Sequence, residues 1–258
     1  MTIQTAEQRT ANKPKPSFSV TAGVSFDGVH SFKDWGLYLR ERPTVSPPEP
    51  KTTYVSVPYR DGDIDISTAL TDGQIRFENR ELDFKFSTFD NVPYWSTLFS
   101  RIQNYMHGKI MHIVLDNDPE FYYIGRVSVE PMESDGYRGY LGVKVDAQPY
   151  KKDILGSLDE WEWDTFNFYT GVIRSWGNMN ISGTKIIDIE GDRETVIPKI
   201  RVLSGSVTVT VTWNGETHTE TLGVGTHELF SLRIRQGANR MTIRGTATVS
   251  IDYRAGSL

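Results

Sequence analysis

Asp61, Asp63 and Asp65 alternate along "RDGDIDIS", and three carboxylates so spaced could cage a calcium ion. An EF-hand loop places glycine at its sixth position and a bidentate glutamate at its twelfth. Counted from Asp61, those positions hold Ile66 and Asp72. A turn accounts for the pattern better. Val55 and Val57 form a strand that Pro58 ends, Arg60 to Asp63 reverse the chain, and Ile64 and Ile66 begin a partner strand with their side chains inward. No calcium binding is expected.

Other reactive types are scattered. His107 and His112 flank a helix end and a strand, and His218 and His227 lie on successive strands where they could be neighbours, but no third ligand accompanies them. The chain has no G-x-S-x-G elbow, no G-x-x-x-x-G-K-[ST] loop and no G-x-G-x-x-G turn. Glu160, Glu162, Asp164, Glu190, Asp192 and Glu194 could supply a glycosidase pair, yet each has the setting of an exposed strand or turn residue. Trp161 and Trp163 share a strand face and Trp176 follows. Exposed tryptophan stacks on sugar rings, so these three are the candidate carbohydrate-binding residues. Tryptophan at period two is also the mark of a core, and burial tendency favours that reading. No catalytic residue, metal site or cofactor is expected.

The elements that would position these residues are mostly strands. The 258 residues are 38% hydrophobic and 12% aromatic, enough for packed cores, and carry a net charge of −5. Residues 1–17 hold three cations and one anion, 18–150 thirteen cations and nineteen anions, and 151–258 twelve and thirteen. No half is basic, which argues against a nucleic-acid binder. The absence of cysteine removes disulfides and thiolate chemistry and suits assembly in a reducing cytoplasm. Met1 to Lys15 lacks an apolar signal region, and no run approaches the ~20 apolar residues of a membrane span.

Residues 1–17, polar and with Lys-Pro-Lys-Pro at 13–16, are expected as a flexible or partner-ordered N-terminal arm. Leu82, Phe84 and Phe86 alternate with charges, as do Val127 with Val129 and Leu141, Val143 and Val145, so 122–149 is expected as a long hairpin. A helix is expected near 91–107, where Trp95, Leu98, Phe99, Ile102, Tyr105 and Met106 form one stripe with Trp95, Phe99 and Ile102 buried; Asp90 or Asn91 caps it, Pro93 sits in its first turn and Gly108 ends it. After Tyr150 the composition shifts. Val207, Val209, Val211 and Trp213 alternate with threonines, Asn214-Gly215 turns the chain, and Thr226 to Ile234 alternates again. Short strands with glycine-rich turns predict a β-sandwich or jelly roll. The chain is therefore expected to be mainly β, with an N-terminal sandwich or barrel-like domain carrying one α-helix (18–150) and a C-terminal jelly-roll domain (151–258).

The stretch "SFKDWGLYLRERPTVSPPEPKTTYVSVPYRDGDIDISTAL" resembles the start of the distal tail protein (Dit) family of siphophages. Phe32, Asp34, Trp35, Gly36 and Leu37 match an opening Phe-x-Asp-Trp-Gly-Leu strand. Pro47 and Pro48 match a proline-rich link. Lys51, Val55, Val57, Pro58, Arg60, Asp61, Gly62, Asp65 and Leu70 match the strand, turn and strand that follow. Tyr59 stands where the family usually has glycine, so a turn needing positive φ there must differ. The likeness continues through "NRELDFKF", "NYMHGK" and "FYYIGRVSV" and covers about 30–150; residues 151–258 match only in kind, as a galectin-like or carbohydrate-binding-module-like jelly roll.

The resemblance implies a structural virion protein without an active site. It implies a hexameric ring at the distal end of a phage tail, assembled in the host cytoplasm, joined to the major tail-tube protein on one side and a tail-associated hub or fibre protein on the other. Residues 18–150 would form the ring, through which genomic DNA passes without specific binding. The C-terminal domains would project as a platform for receptor-binding proteins or host glycans. An acidic ring suits such a conduit, because a negative wall does not trap a polyanion. Two other readings stand beside it: a carbohydrate-binding module with an accessory β domain, and a glycosidase or esterase on a β scaffold.

Overall fold

In a computed structural model, the structure describes residues 22–71, 73–88, 95–135, 137–154, 176–213, 215–254 and 256–258. The chain is mainly β, as the alternation predicts. It divides into two compact units. One draws on Met1–Ser46, Arg80–Asn117 and Gly125–Ala147, the other on Pro47–Asn79, Asp118–Ile124 and Gln148–Leu258.

The first unit opens with β1 (Val24–Phe26), β2 (Val29–His30), helix α1 (Ser31–Trp35), β3 (Leu37–Leu39) and β4 (Thr44–Val45). The "FKDWG" motif is thus a one-turn helix followed by a strand, where the resemblance implied a strand throughout. Local caps explain it. The His30 side chain accepts from the N–H groups of Phe32 and Lys33, Asp34 reaches back to the His30 N–H at 2.7 Å, and Gly36 closes the turn at φ +67°.

Strands β7 (Arg80–Thr88), β8 (Ile110–Leu115), the Gly125–Val129 end of β9 (Asp118–Val129) and β11 (Gly139–Ala147) complete the unit's sheet, in the order β2–β1–β8–β9–β11–β7–β3. Strand β4 also pairs with β7, and the short β10 (Glu133–Ser134) with β11. The register explains the core. Val143 faces Phe84 and Val129, and Val145 faces Leu82 and Val127, so period-two residues of three strands stack in rows. The expected hairpin over 122–149 is the β9–β11 pair.

Helix α2 (Trp95–Met106) lies where its stripe predicts and ends before Gly108 at φ +78°. The expected cap, Asp90 or Asn91, and Pro93 of the expected first turn lie outside the described residues. Ile102 and Met106 are buried, but Trp95 and Phe99, expected in the core, are only half-buried. The stripe is wider than the contact: its C-terminal turns meet the sheet, with Tyr105 donating from its hydroxyl to Phe26 O at 3.0 Å and packing edge-on against Trp35.

In the second unit, β5 (Tyr54–Val55) and β6 (Ile64–Asp65) form a two-stranded ribbon. Strand β12 (Lys151–Asp153) pairs with the Phe121–Tyr122 part of β9 and with β18 (Gly256–Ser257). The rest is a curled sheet in the order β13 (Met179–Gly191), β17 (Gly237–Asp252), β14 (Lys199–Trp213), β15 (Glu216–Leu222), with β16 (Gly225–Glu228) beside the start of β14.

Three of these strands run 13–16 residues, longer than the short strands expected. They remain continuous because they bend at glycine. Gly183 faces Gly245, which also faces Val207, and Gly205 faces Ala247. All three glycines have positive φ, and a Cβ at Gly205 would sit 2.0 Å from Thr246 O. Next to this column β14 bulges at Leu203, which shifts the alternation: Ile200 and Val202 are buried before it, and Val207, Val209 and Val211 after it. The alternation expected to run from Thr226 to Ile234 is broken. A 3-10 turn at Phe230–Leu232 leaves Phe230 in solvent and returns Leu232 and Ile234 to the core.

Candidate interaction surface

The residues with chemical potential stay apart. Asp65 accepts from the Ser67 hydroxyl and from its N–H at 2.8 Å, which hold its carboxyl below the usual range. Asp61 and Asp63 pair with no cation among the described residues. Nor do three carboxylate or imidazole groups converge there to hold an ion.

His218 and His227, which successive strands could have made neighbours, face Val211 and Ile200, eleven residues apart along β14. Both strands pair with the same long partner, which spreads them along it. His107 Nδ1 accepts from Val129 N at 3.0 Å, and His112 pairs with Asp27 at 3.0 Å. Of the carboxylates, Glu194 is bound to Lys152 and Glu190 is exposed; Glu160, Glu162 and Asp164 lie outside the described residues, as do Trp161 and Trp163. Trp176 is half-buried, packed on the core with its ring 6.0 Å from that of Tyr253.

The most exposed apolar surface lies on the ribbon instead. Its root is fixed: Lys51 N–H donates to Arg76 O at 2.8 Å, Glu78 N–H to Glu49 O at 2.8 Å, and Ile66 N–H to Thr53 O at 2.9 Å. Beyond that, Val55 and Val57 are exposed; of Ile64 and Ile66, expected to face inward, Ile64 is half-buried and Ile66 exposed, because no second layer of described residues covers the two-stranded ribbon. Among the described residues, six of the thirteen exposed large hydrophobic side chains fall between Tyr54 and Leu70. Such clustering marks a contact surface more than scattered single residues would.

The turn at its tip is of type II. Pro58 fixes the first corner, Arg60 N–H donates to Val57 O at 3.2 Å, and Tyr59 holds the second corner at φ +64°. The positive φ that glycine would supply is therefore kept here by a tyrosine, and the turn does not differ as the sequence suggested. A tyrosine in this region costs roughly 1–2 kcal/mol, and its ring is fully in solvent. No described residue covers the ring to offset that cost.

A second surface belongs to the first unit. Tyr38 of β3 and Tyr140 of β11 flank Ser87 of β7 in one cross-strand row. The Arg40 guanidinium lies 4.5 Å from the Tyr140 ring centre, and Arg138 Nη1 is 3.4 Å from the Tyr38 hydroxyl. Asp135 anchors the platform by accepting from the Tyr140 hydroxyl at 2.7 Å and from the N–H groups of Arg138 and Tyr137. These bonds hold its carboxyl at about 2, with the Tyr140 contribution largest. Arg40 and Arg138 are exposed. Hydrophobic alternation gave no sign of either surface; the only sequence mark was a tyrosine after Pro58 where glycine is usual.

The chain matches no protein-family model and no curated protein sequence. In fold it is similar to the crystal structure of the SPP1 Dit (gp 19.1) protein, described as a paradigm of the hub adsorption apparatus in phages that infect Gram-positive bacteria. The likeness covers 92% of this chain and 99% of that one, with a TM-score of 0.57 and 11% sequence identity.

Proposed function

We propose that this chain is a structural component of a phage adsorption apparatus, the distal tail protein of a long non-contractile tail. The observation that carries the reading is the length of the fold likeness, which takes in nearly the whole of both chains. It agrees with the motif resemblance over about 30–150, which rests on separate grounds. The protein works through interfaces: an exposed apolar ribbon and an arginine–tyrosine platform are contact surfaces.

In this reading six copies close into a ring at the tail tip, between the tail-tube protein and the hub or fibre protein. Residues 18–150 carry the ring contacts, and 151–258 project as a platform for receptor-binding proteins. A closed ring uses heterologous contacts, in which one face of each subunit meets a different face of the next. Native mass spectrometry of the full chain, alone and with the tail-tube protein, tests this. Hexamers that appear as rings by electron microscopy are expected. A chain that stays monomeric with both neighbouring tail proteins present overturns the reading.

A further inference from the structure

The ribbon tip and the tyrosine platform are complementary. The tip presents an aromatic ring, Tyr59, beside two carboxylates, Asp61 and Asp63, that pair with no described cation. The platform presents two aromatic rings beside two exposed guanidiniums, neither in an ion pair with a described carboxylate. Guanidinium forks suit carboxylates, and tyrosine rings suit one another edge to face. The ribbon's flanks add exposed Tyr54, Val55 and Val57, which can cover the apolar parts of the two platform rings.

We propose that the tip of the 54–66 ribbon docks on the Tyr38–Tyr140 platform of a second copy of this chain, with Asp61 and Asp63 paired to Arg40 and Arg138. The proposal rests on the ring reading above and names the contact that closes it. Two different surfaces meet, so the contact is heterologous and an open assembly keeps one tip and one platform unoccupied at its ends until the ring closes. The occupant is a second copy because both halves of the match lie on this one chain. The retained strain at Tyr59 fits this role: a glycine would relax the turn but remove the ring that the platform receives.

Charge reversal in the full-length chain tests the contact. Asp61→Arg with Asp63→Arg is expected to weaken self-association about tenfold or more in sedimentation, as is Arg40→Glu with Arg138→Glu, because each puts like charges face to face. All four changes in one chain are expected to restore it, which no folding defect would do. The absence of native cysteine allows a second readout. With Asp63→Cys and Arg138→Cys together, oxidation is expected to give a covalent ladder beyond the dimer, whereas either change alone stops at dimers. If the wild type associates but the reversals leave it intact, or the four changes fail to restore it, the contact is wrong and the ring reading stands. If tip variants lose only binding to the tail-tube protein, the occupant is that partner and the proposal fails. A wild type that stays monomeric with its neighbours present and forms no ladder overturns both.

Discussion

His30 and Asp116 are joined across the first unit, with His30 Nε2 3.0 Å from Asp116 Oδ2 and a ring that is almost fully buried. The other ring nitrogen accepts from Phe32 N–H at 3.0 Å and Lys33 N–H at 3.1 Å, so the proton sits on Nε2 and is donated to the carboxylate. One side chain thus caps α1 and ties it to the end of β8. Asp116 also accepts from Gly23 N–H at 2.8 Å. His30→Ala removes a cap and a charge-assisted bond together, for a loss of about 2–4 kcal/mol. Asp116→Asn keeps one acceptor oxygen, and about 1 kcal/mol is expected. Urea unfolding compares the two; equal losses would mean that the His30 cap contributes nothing.

The glycine column offers a contrast between space and backbone angle. Gly183 has φ +89° and open space where a Cβ would go, so Gly183→Ala costs only the left-handed backbone, about 1–2 kcal/mol. At Gly205, with φ +75°, and Gly245, with φ +142°, the same Cβ would meet backbone oxygens of the neighbouring strand at 2.0 and 2.4 Å. Those strands must part, so Gly205→Ala and Gly245→Ala are expected to cost about 3–5 kcal/mol, strain and overpacking together. Thermal melts of the three variants should separate one from two. Equal shifts at all three would show that the bend does not need close backbone approach.

Helix α2 separates stripe from contact. Ile102 is fully buried, so Ile102→Ala is expected to cost about 2–5 kcal/mol. Phe99 is half-buried, and Phe99→Ala should cost roughly half of a fully buried phenylalanine, about 1.5–2.5 kcal/mol. A larger loss at Phe99 than at Ile102 in denaturant titrations would reverse the packing described.

Much of this architecture was legible because burial writes itself into alternation. Leu82, Phe84 and Phe86, or Val207, Val209 and Val211, have one face to hide, and period two follows. The ribbon was legible as a turn between two strands but not as an exposed arm, since Val55 and Ile66 have the same pattern whether a second layer covers them or a partner does. The bend of the long strands was hidden for another reason. Gly183, Gly205 and Gly245 look like three unrelated turn residues until the register aligns them. The tyrosine platform was invisible because Tyr38, Arg40, Arg138 and Tyr140 meet only through the pairing of β3, β7 and β11.

The platform loop has a pH signature. Asp135 is held at about 2 by the Tyr140 hydroxyl first, then by the Arg138 and Tyr137 N–H groups. A carboxyl with a depressed value stabilises the loop at pH above its ordinary 3.8 and gives that up as the pH falls through about 2. Carboxyl carbon shifts followed by NMR should therefore titrate near 2 for Asp135. In Tyr140→Phe the titration should move up toward the ordinary value, because the largest cause is gone. An unmoved titration would mean that the hydroxyl does not bond the carboxylate in solution.

Tyr59 should separate the stability of one chain from the stability of the assembly. Its backbone lies at φ +64°, its ring is fully exposed among the described residues, and the turn it completes has Pro58 before it. Glycine at this corner removes roughly 1–2 kcal/mol of strain, while adding back somewhat less than 1 kcal/mol of unfolded-chain freedom. Tyr59→Gly is therefore expected to leave the melting temperature of the isolated chain unchanged or raise it by a few degrees. Tyr59→Ala keeps the strained backbone and loses the ring, so its melting temperature should stay near wild type. Both should associate more weakly than wild type, and to a similar extent, because both lack the aromatic ring at the tip. Calorimetry with sedimentation on the same samples reads both quantities. A Tyr59→Gly chain that melts lower would show that the ring packs within its own chain, and one that associates as well as wild type would show that the strain is kept for some purpose other than contact.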